Sequence, residues 1–121
     1  MTPNERLPLL AGSLLAALGV MLGAFGAHGL RAALTPEAMG WWQTGVQYQM
    51  WHAIGLVAIG AARLPGTRLA VWLLTIGTLL FAGSLYVMAL TGQRWLGMVT
   101  PWGGGLMIGG WLCLAWTLLR R

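Results

Sequence analysis

Charge is what this sequence has least of. Only 7% of its 121 residues are charged, where a soluble domain carries about 25%. So few charges cannot cover a water-facing surface, whereas a lipid-facing one needs no such cover. Cysteine is nearly absent too. Cys113 stands alone inside an apolar run, which excludes an intrachain disulfide and leaves the redox compartment unread; a small packing residue is the simpler role. Length is also short: four spans of about 20 residues each would use most of the chain and leave no room for a separate catalytic domain.

What is present is a set of long uncharged runs. The first goes from Leu7 to Leu30, between Arg6 and Arg31. A cleaved leader with a small-residue site at Ala24 and Gly26 is the competing reading, but the run is too long for a signal core and its basic flank is one arginine beside Glu5. A retained helix is expected. Thr35-Pro36-Glu37 reads as a helix start, with Thr35 as cap and Pro36 at the first position. Trp41 and Trp42 then read as interfacial anchors. Pro65-Gly66 marks a tight turn, Thr67 a cap, Gly92 a stop, and Thr100-Pro101 a further cap-then-proline start. The expected architecture is all-α, a single membrane domain of four transmembrane helices at about 7–30, 36–62, 68–91 and 101–119.

The net charge of +5 rests on arginine alone. The arginines are scattered one or two per junction, which fits membrane topology and not the basic stripe of a nucleic-acid binder. Arg6, Arg63, Arg68, Arg120 and Arg121 fall at one end of the expected spans, Arg31 and Arg94 at the other. That bias, with an even number of crossings, predicts both termini in the cytoplasm.

Nineteen glycines are present, and in lipid small residues let helix backbones approach closely. Gly12, Ala16, Gly19, Gly23 and Ala27 line one side of the first helix, with Gly19 and Gly23 forming a GxxxG pair. Gly105, Gly109 and Cys113 recur at four-residue steps on the fourth. Both stripes are expected to be helix–helix contact faces, within the chain or between copies. A homo-oligomer is the favoured state.

Apart from Glu37 and Arg68 in the first turns of their helices, no expected span contains Asp, Glu, Lys or Arg, the second crossing itself running from about Thr44 to Ala62. Proton-coupled carriers place a carboxylate in the membrane, and four-helix drug exporters of similar length depend on a glutamate in their first span, which is absent here. The polar groups that do fall within spans are led by His28, Gln43, Gln47, Tyr48, Gln49, His52, Ser84 and Tyr86. Thr44, Tyr48 and His52 share one face of the second helix, with Gln49 bordering it, and Thr75, Thr78, Ala82 and Tyr86 share one face of the third. From the helical rise, Tyr48 lies roughly 10 Å and His52 roughly 16 Å below Trp41. Two readings follow: interhelical hydrogen bonding, or a polar pocket in the outer half with His52 at its floor.

No cofactor is expected. His28 and His52 are offset by roughly 10 Å in depth on the same rise, which disfavours haem between them, and two histidines with one distant cysteine do not complete a metal site. Ser84 has no nucleophile elbow and no acidic orienter. Gly103-Gly104-Gly105 lacks the lysine of a phosphate loop.

Gly23-Ala24-Phe25-Gly26-Ala27-His28-Gly29 resembles the signature of a small membrane family, catalogued as a domain of unknown function (number 423), that includes transmembrane protein 256 and small bacterial inner-membrane proteins. The resemblance continues through Trp42-Gln43-Thr44, Gln47-Tyr48-Gln49 and His52, then Gly83-Ser84-Leu85-Tyr86, then Thr100-Pro101 with Gly103-Gly104. It implies four helices in the bacterial inner membrane and no established reaction. It marks His28, Gln43, Gln47, Tyr48, Gln49, His52, Ser84, Tyr86 and Thr100 as signature positions. Trp102 departs from the smaller aliphatic residue expected there. The functional expectation is a non-enzymatic inner-membrane protein with lipids as surroundings, an oligomer or an accessory subunit of a membrane complex. The alternative is binding or transport of a small molecule, ion, lipid or quinone at Tyr48, His52 and Tyr86.

Overall fold

The computed structural model describes all residues, Met1–Arg121. It is all-helical: α1 (Pro3–His28), α2 (Pro36–Ala62), α3 (Arg68–Thr91) and α4 (Thr100–Leu119), with a short 3-10 turn at Arg94–Met98 leading into α4.

Caps rather than apolar runs set the helix ends. α1 begins at Pro3, ahead of the apolar run at Leu7, because Thr2 and Glu5 form a reciprocal capping box: the Glu5 N–H donates to Thr2 Oγ1 at 3.3 Å and the Thr2 N–H to the Glu5 carboxylate at 3.0 Å. It ends at His28, where the N–H groups of Gly29 and Leu30 both turn back to the Phe25 carbonyl. Thr35 caps α2 through the Ala38 N–H at 3.1 Å, and Gly92, at φ 72°, ends α3 in the left-handed conformation that glycine tolerates best.

Two expected caps make no side-chain cap, although Thr67 does stand at the N-cap position of α3. Thr67 donates its hydroxyl to the Leu64 carbonyl inside the α2–α3 turn. Thr100 lies within α4, and its hydroxyl meets Ser84 on α3. In both cases a carbonyl or hydroxyl at hand competes successfully for the side chain.

The helices pack in chain order, α1 on α2, α2 on α3 and α3 on α4. The outermost pair, α1 and α4, do not meet, so the layer is open rather than a closed ring. An apolar core of Leu15, Ala53, Leu56, Ile59, Val71 and Leu74 fills one half. Leu30, Ala38, Trp42 and Ala89 fill the end near the α1–α2 connection. The outward faces carry exposed Leu10, Leu14, Leu18, Leu79, Ile108 and Leu112.

Three segments are long and apolar enough to cross a membrane: Pro3–His28, Arg68–Thr91 and Arg94–Leu119. α2 is as long, at 27 residues, but carries Gln43, Gln47, Gln49, Tyr48 and His52, which lower its hydropathy.

Glycine positions control the close approaches. A Cβ on Gly12 would lie 2.6 Å from the Ala53 carbonyl oxygen, and one on Gly19 would collide with the Met50 side chain. Gly23 faces Val46 at 3.4 Å. The glycine side of α1 therefore packs on α2 within one chain. On α4 the glycines of the expected stripe make no contact within the chain. Gly105 and Gly109 have open space where a Cβ would be; the close approach to α3 is made by Gly103, Met107 and Gly110 against Gly77, Phe81 and Leu74. Small residues occur on two sides of α4, and four-residue spacing cannot choose between them.

Candidate functional site

Between the two apolar cores, the side chains of α2 form a seam of hydrogen bonds to the other three helices. Gln49, only 4% exposed, donates from Nε2 to the Leu15 carbonyl on α1 at 2.8 Å and accepts the Tyr86 hydroxyl from α3 at 2.6 Å. One amide thus ties three helices. Tyr86 reaches it because Gly45 is bare: a Cβ there would lie 2.7 Å from the Tyr86 ring.

Trp42 was expected at the interface, yet it is 2% exposed. Its indole N–H donates to the Leu22 carbonyl on α1 at 2.9 Å. Gly26 makes the room, since a Cβ would come within 2.5 Å of that nitrogen. The ring also lies 4.8 Å from that of Tyr86 and 6.1 Å from that of Phe25. Trp41 is the half-exposed one of the pair, with the Arg94 guanidinium 5.5 Å over its ring and Arg94 also paired with Glu37.

His52 is buried, with both ring nitrogens engaged. Nε2 is 3.0 Å from Trp111 Nε1 on α4, and Nδ1 is 2.8 Å from the Tyr48 carbonyl. An indole nitrogen only donates and a carbonyl only accepts. His52 must therefore be the neutral tautomer with its proton on Nδ1. It joins α2 to α4, whose backbones do not approach each other. Gly55 again provides clearance, a Cβ there lying 2.8 Å from the Trp111 ring.

A smaller junction links α3 to α4. Ser84 and Thr100 hydroxyls are 2.6 Å apart, and Ser84 is 2.9 Å from its own helix's Phe81 carbonyl. Each hydroxyl has one proton, and Thr100 Oγ1 is also 3.2 Å from the Leu96 carbonyl, so two protons serve three contacts. Thr78, fully buried on α3, has an unpartnered hydroxyl.

The nine signature positions divide. Gln49 and Tyr86 meet directly, Ser84 and Thr100 meet directly, and Tyr48 and His52 stack with ring centroids 6.3 Å apart. Tyr48 also lies 4.7 Å from the Phe81 ring. His28, Gln43 and Gln47 are exposed and do not join; Gln43 and Gln47 edge a separate cleft of about 270 Å³ beside Gly23 and Gly26 on α1. Where the sequence allowed an outer-half pocket with His52 at its floor, His52 and Tyr86 are both engaged in this seam. Trp42 and Trp111 are its unforeseen members. The only trace of them in the sequence is glycine on partner helices, and pairing Gly55 with Trp111 needs the three-dimensional arrangement.

Comparison with known proteins adds an independent observation. The family model described as "Protein of unknown function (DUF423)" matches residues 22–104. The chain belongs to this family. DUF423 relatives include a UPF0382 membrane protein of Staphylococcus haemolyticus, 46% identical over 90% of this chain and 92% of its own length. The UPF0382 membrane protein YwdK of Bacillus subtilis is 43% identical over 88% and 90%. The UPF0382 inner membrane protein YgdD of Escherichia coli is 38% identical over 89% and 86%. No solved structure is detectably similar. The matched region contains the whole hydrogen-bonded seam except its Leu15 and Trp111 ends.

Proposed function

We propose that this DUF423 protein is a multi-pass protein of the bacterial inner membrane whose polar seam serves assembly of its helices, and that it works without catalysis, as an oligomer or accessory subunit. Four spans with both termini cytoplasmic is the topology proposed. α2 would be the fourth span, with Gln49 and His52 directed at neighbouring helices while Gln43 and Gln47 stay exposed nearer its start. The arginine bias supports the orientation, and the name of the E. coli relative supports the inner membrane.

The observation that carries the assembly reading is the engagement of Gln49, His52, Trp42 and Tyr86 by one another and by groups on other helices. Interhelical hydrogen bonds of this kind contribute about 0.6 kcal/mol each on average. Several together fix which helix faces meet. The competing pocket at Tyr48, His52 and Tyr86 has less support, since His52 and Tyr86 are already bonded. The oligomer reading draws on the open layer and on the outward Gly105, Gly109 and Cys113 stripe.

Solubilised mass by light scattering tests the oligomer: a multiple of the 13.0 kDa chain mass is expected, and a stable monomer would count against it. Topology is tested separately in a Cys113→Ser background. A cysteine at Gln93 should react with an impermeant thiol reagent on intact cells, and one at Arg120 should not.

A further inference from the structure

We propose that the arginine-rich end of the bundle holds an anionic phospholipid, with its phosphodiester between Arg63 and Arg68 and an acyl chain along α1. The site is a cleft of about 380 Å³ between the first turn of α1 and the α2–α3 turn. Its walls divide by chemistry: Leu7, Pro8, Ile59 and Val71 are apolar, while Arg63 and Arg68 supply positive charge.

Neither arginine is engaged elsewhere. The chain's one ion pair is Arg94 with Glu37, at the other end, and the arginine side-chain hydrogen bond at this end comes from Arg121, to the Pro65 carbonyl. Arg63 is set by the left-handed end of α2, at φ 52°. Glu5 is the one acidic group on the cleft, and its carboxylate accepts the Thr2 N–H. Two guanidinium groups against one carboxylate leave the cleft net positive, with Arg6 on its flank.

A phosphate monoanion in solution and a lipid phosphodiester share this recognition chemistry. The surroundings favour the lipid. A second, shallow groove of about 590 Å³ shares Leu7 with the cleft and runs along Pro3, Leu9, Leu10 and Ser13, with Arg6 at its side. Free phosphate has no use for such a groove; an acyl chain does. A phosphatidylglycerol-type headgroup fits better than a zwitterionic one. Its glycerol hydroxyls can use the Thr2 and Asn4 side chains on the cleft wall, and it brings no ammonium group towards the arginines. Basic residues at the membrane surface each favour anionic lipid by about 1 kcal/mol. The inference rests on the four-span reading only for setting this end at headgroup depth, and it holds for either orientation.

The test is native mass spectrometry and thermal unfolding of the full chain in nanodiscs of phosphatidylcholine alone or mixed with phosphatidylglycerol. The wild type should retain a phosphatidylglycerol adduct and unfold at a higher temperature in the mixture. Arg63→Gln with Arg68→Gln should weaken retention by roughly tenfold or more. A charge-matched control, Arg31→Gln with Arg120→Gln, should retain it. Glu5→Gln should bind more tightly, a gain that a misfolded protein cannot give. Equal retention by the cleft variant and the control would overturn the proposal, as would a Glu5→Gln variant with no gain. Stabilisation by inorganic phosphate equal to that by the lipid would overturn the lipid assignment. Thiol labelling placing Arg120 outside would reverse the topology and leave this outcome untouched.

Discussion

The Gly12 to Gly26 stripe of α1 and the Gly105 and Gly109 pair of α4 look alike in sequence and behave oppositely in space. Gly12, Gly19 and Gly26 sit where any side chain would strike α2, while Gly105 and Gly109 open onto nothing within the chain. Glycine spacing marks where a helix can be approached closely, and it does not say whether the approach is made by the same chain. The partner's side decides. α2 offers Val57, Met50 and Trp42 in register with the α1 glycines, whereas α3 meets α4 on the Gly103–Gly110 side.

Substitutions can break that contrast. The largest effect is expected from Gly12→Val, whose branched side chain would press on the Ala53 backbone. A loss of at least about 2 kcal/mol is expected, read as a lowered midpoint in a denaturing-detergent titration followed by circular dichroism. Gly103→Val should behave alike, because its Cβ would strike the Phe81 backbone. Next comes Gln49→Leu, which removes both of the seam's central bonds and strands the Tyr86 hydroxyl, at about 1–2 kcal/mol. Thr78→Val should go the other way and stabilise by up to about 1 kcal/mol, because the hydroxyl it deletes is buried without a partner.

The smallest effect sharpens the comparison most. Gly105→Ala and Gly109→Ala should leave protomer stability within about 0.5 kcal/mol of wild type. Gly105→Leu should lower the solubilised mass where that face joins two copies. A fall in protomer stability as large as that of Gly12→Val would erase the distinction between the two faces.

How far the sequence could be read follows the same division. Helix existence was legible because uncharged runs and punctuating residues such as Pro36, Pro65 and Gly92 are local signals. Thr67 holds the N-cap position as expected, but neither it nor Thr100 caps with its side chain, because a threonine hydroxyl chooses between its own helix end and any nearby carbonyl or hydroxyl, and only the fold supplies the second option. Tyr48, Gln49, His52 and Tyr86 were legible as members of polar faces from periodicity alone. Their mutual bonds were not, since a hydrogen bond depends on the rotation and register of two helices. Trp42 shows the limit most clearly. Adjacent to Trp41, it has the same composition-level signal, but the roughly 100° turn between neighbours on a helix sends one ring to the rim and the other under Gly26.

The uneven polarity of α2 also bears on how the polypeptide reaches its final state during synthesis. α1 emerges first and is apolar enough to partition alone; α2 is not, and it finds acceptors for Gln49 and Trp42 in the Leu15 and Leu22 carbonyls that α1 already presents. On the four-span reading, the second segment enters hydrocarbon as half of a hairpin. Its insertion efficiency in a translocon assay should therefore fall when α1 is replaced by a polyleucine span of the same length, because side chains at positions 12, 19 and 26 would hold α2 away from those carbonyls.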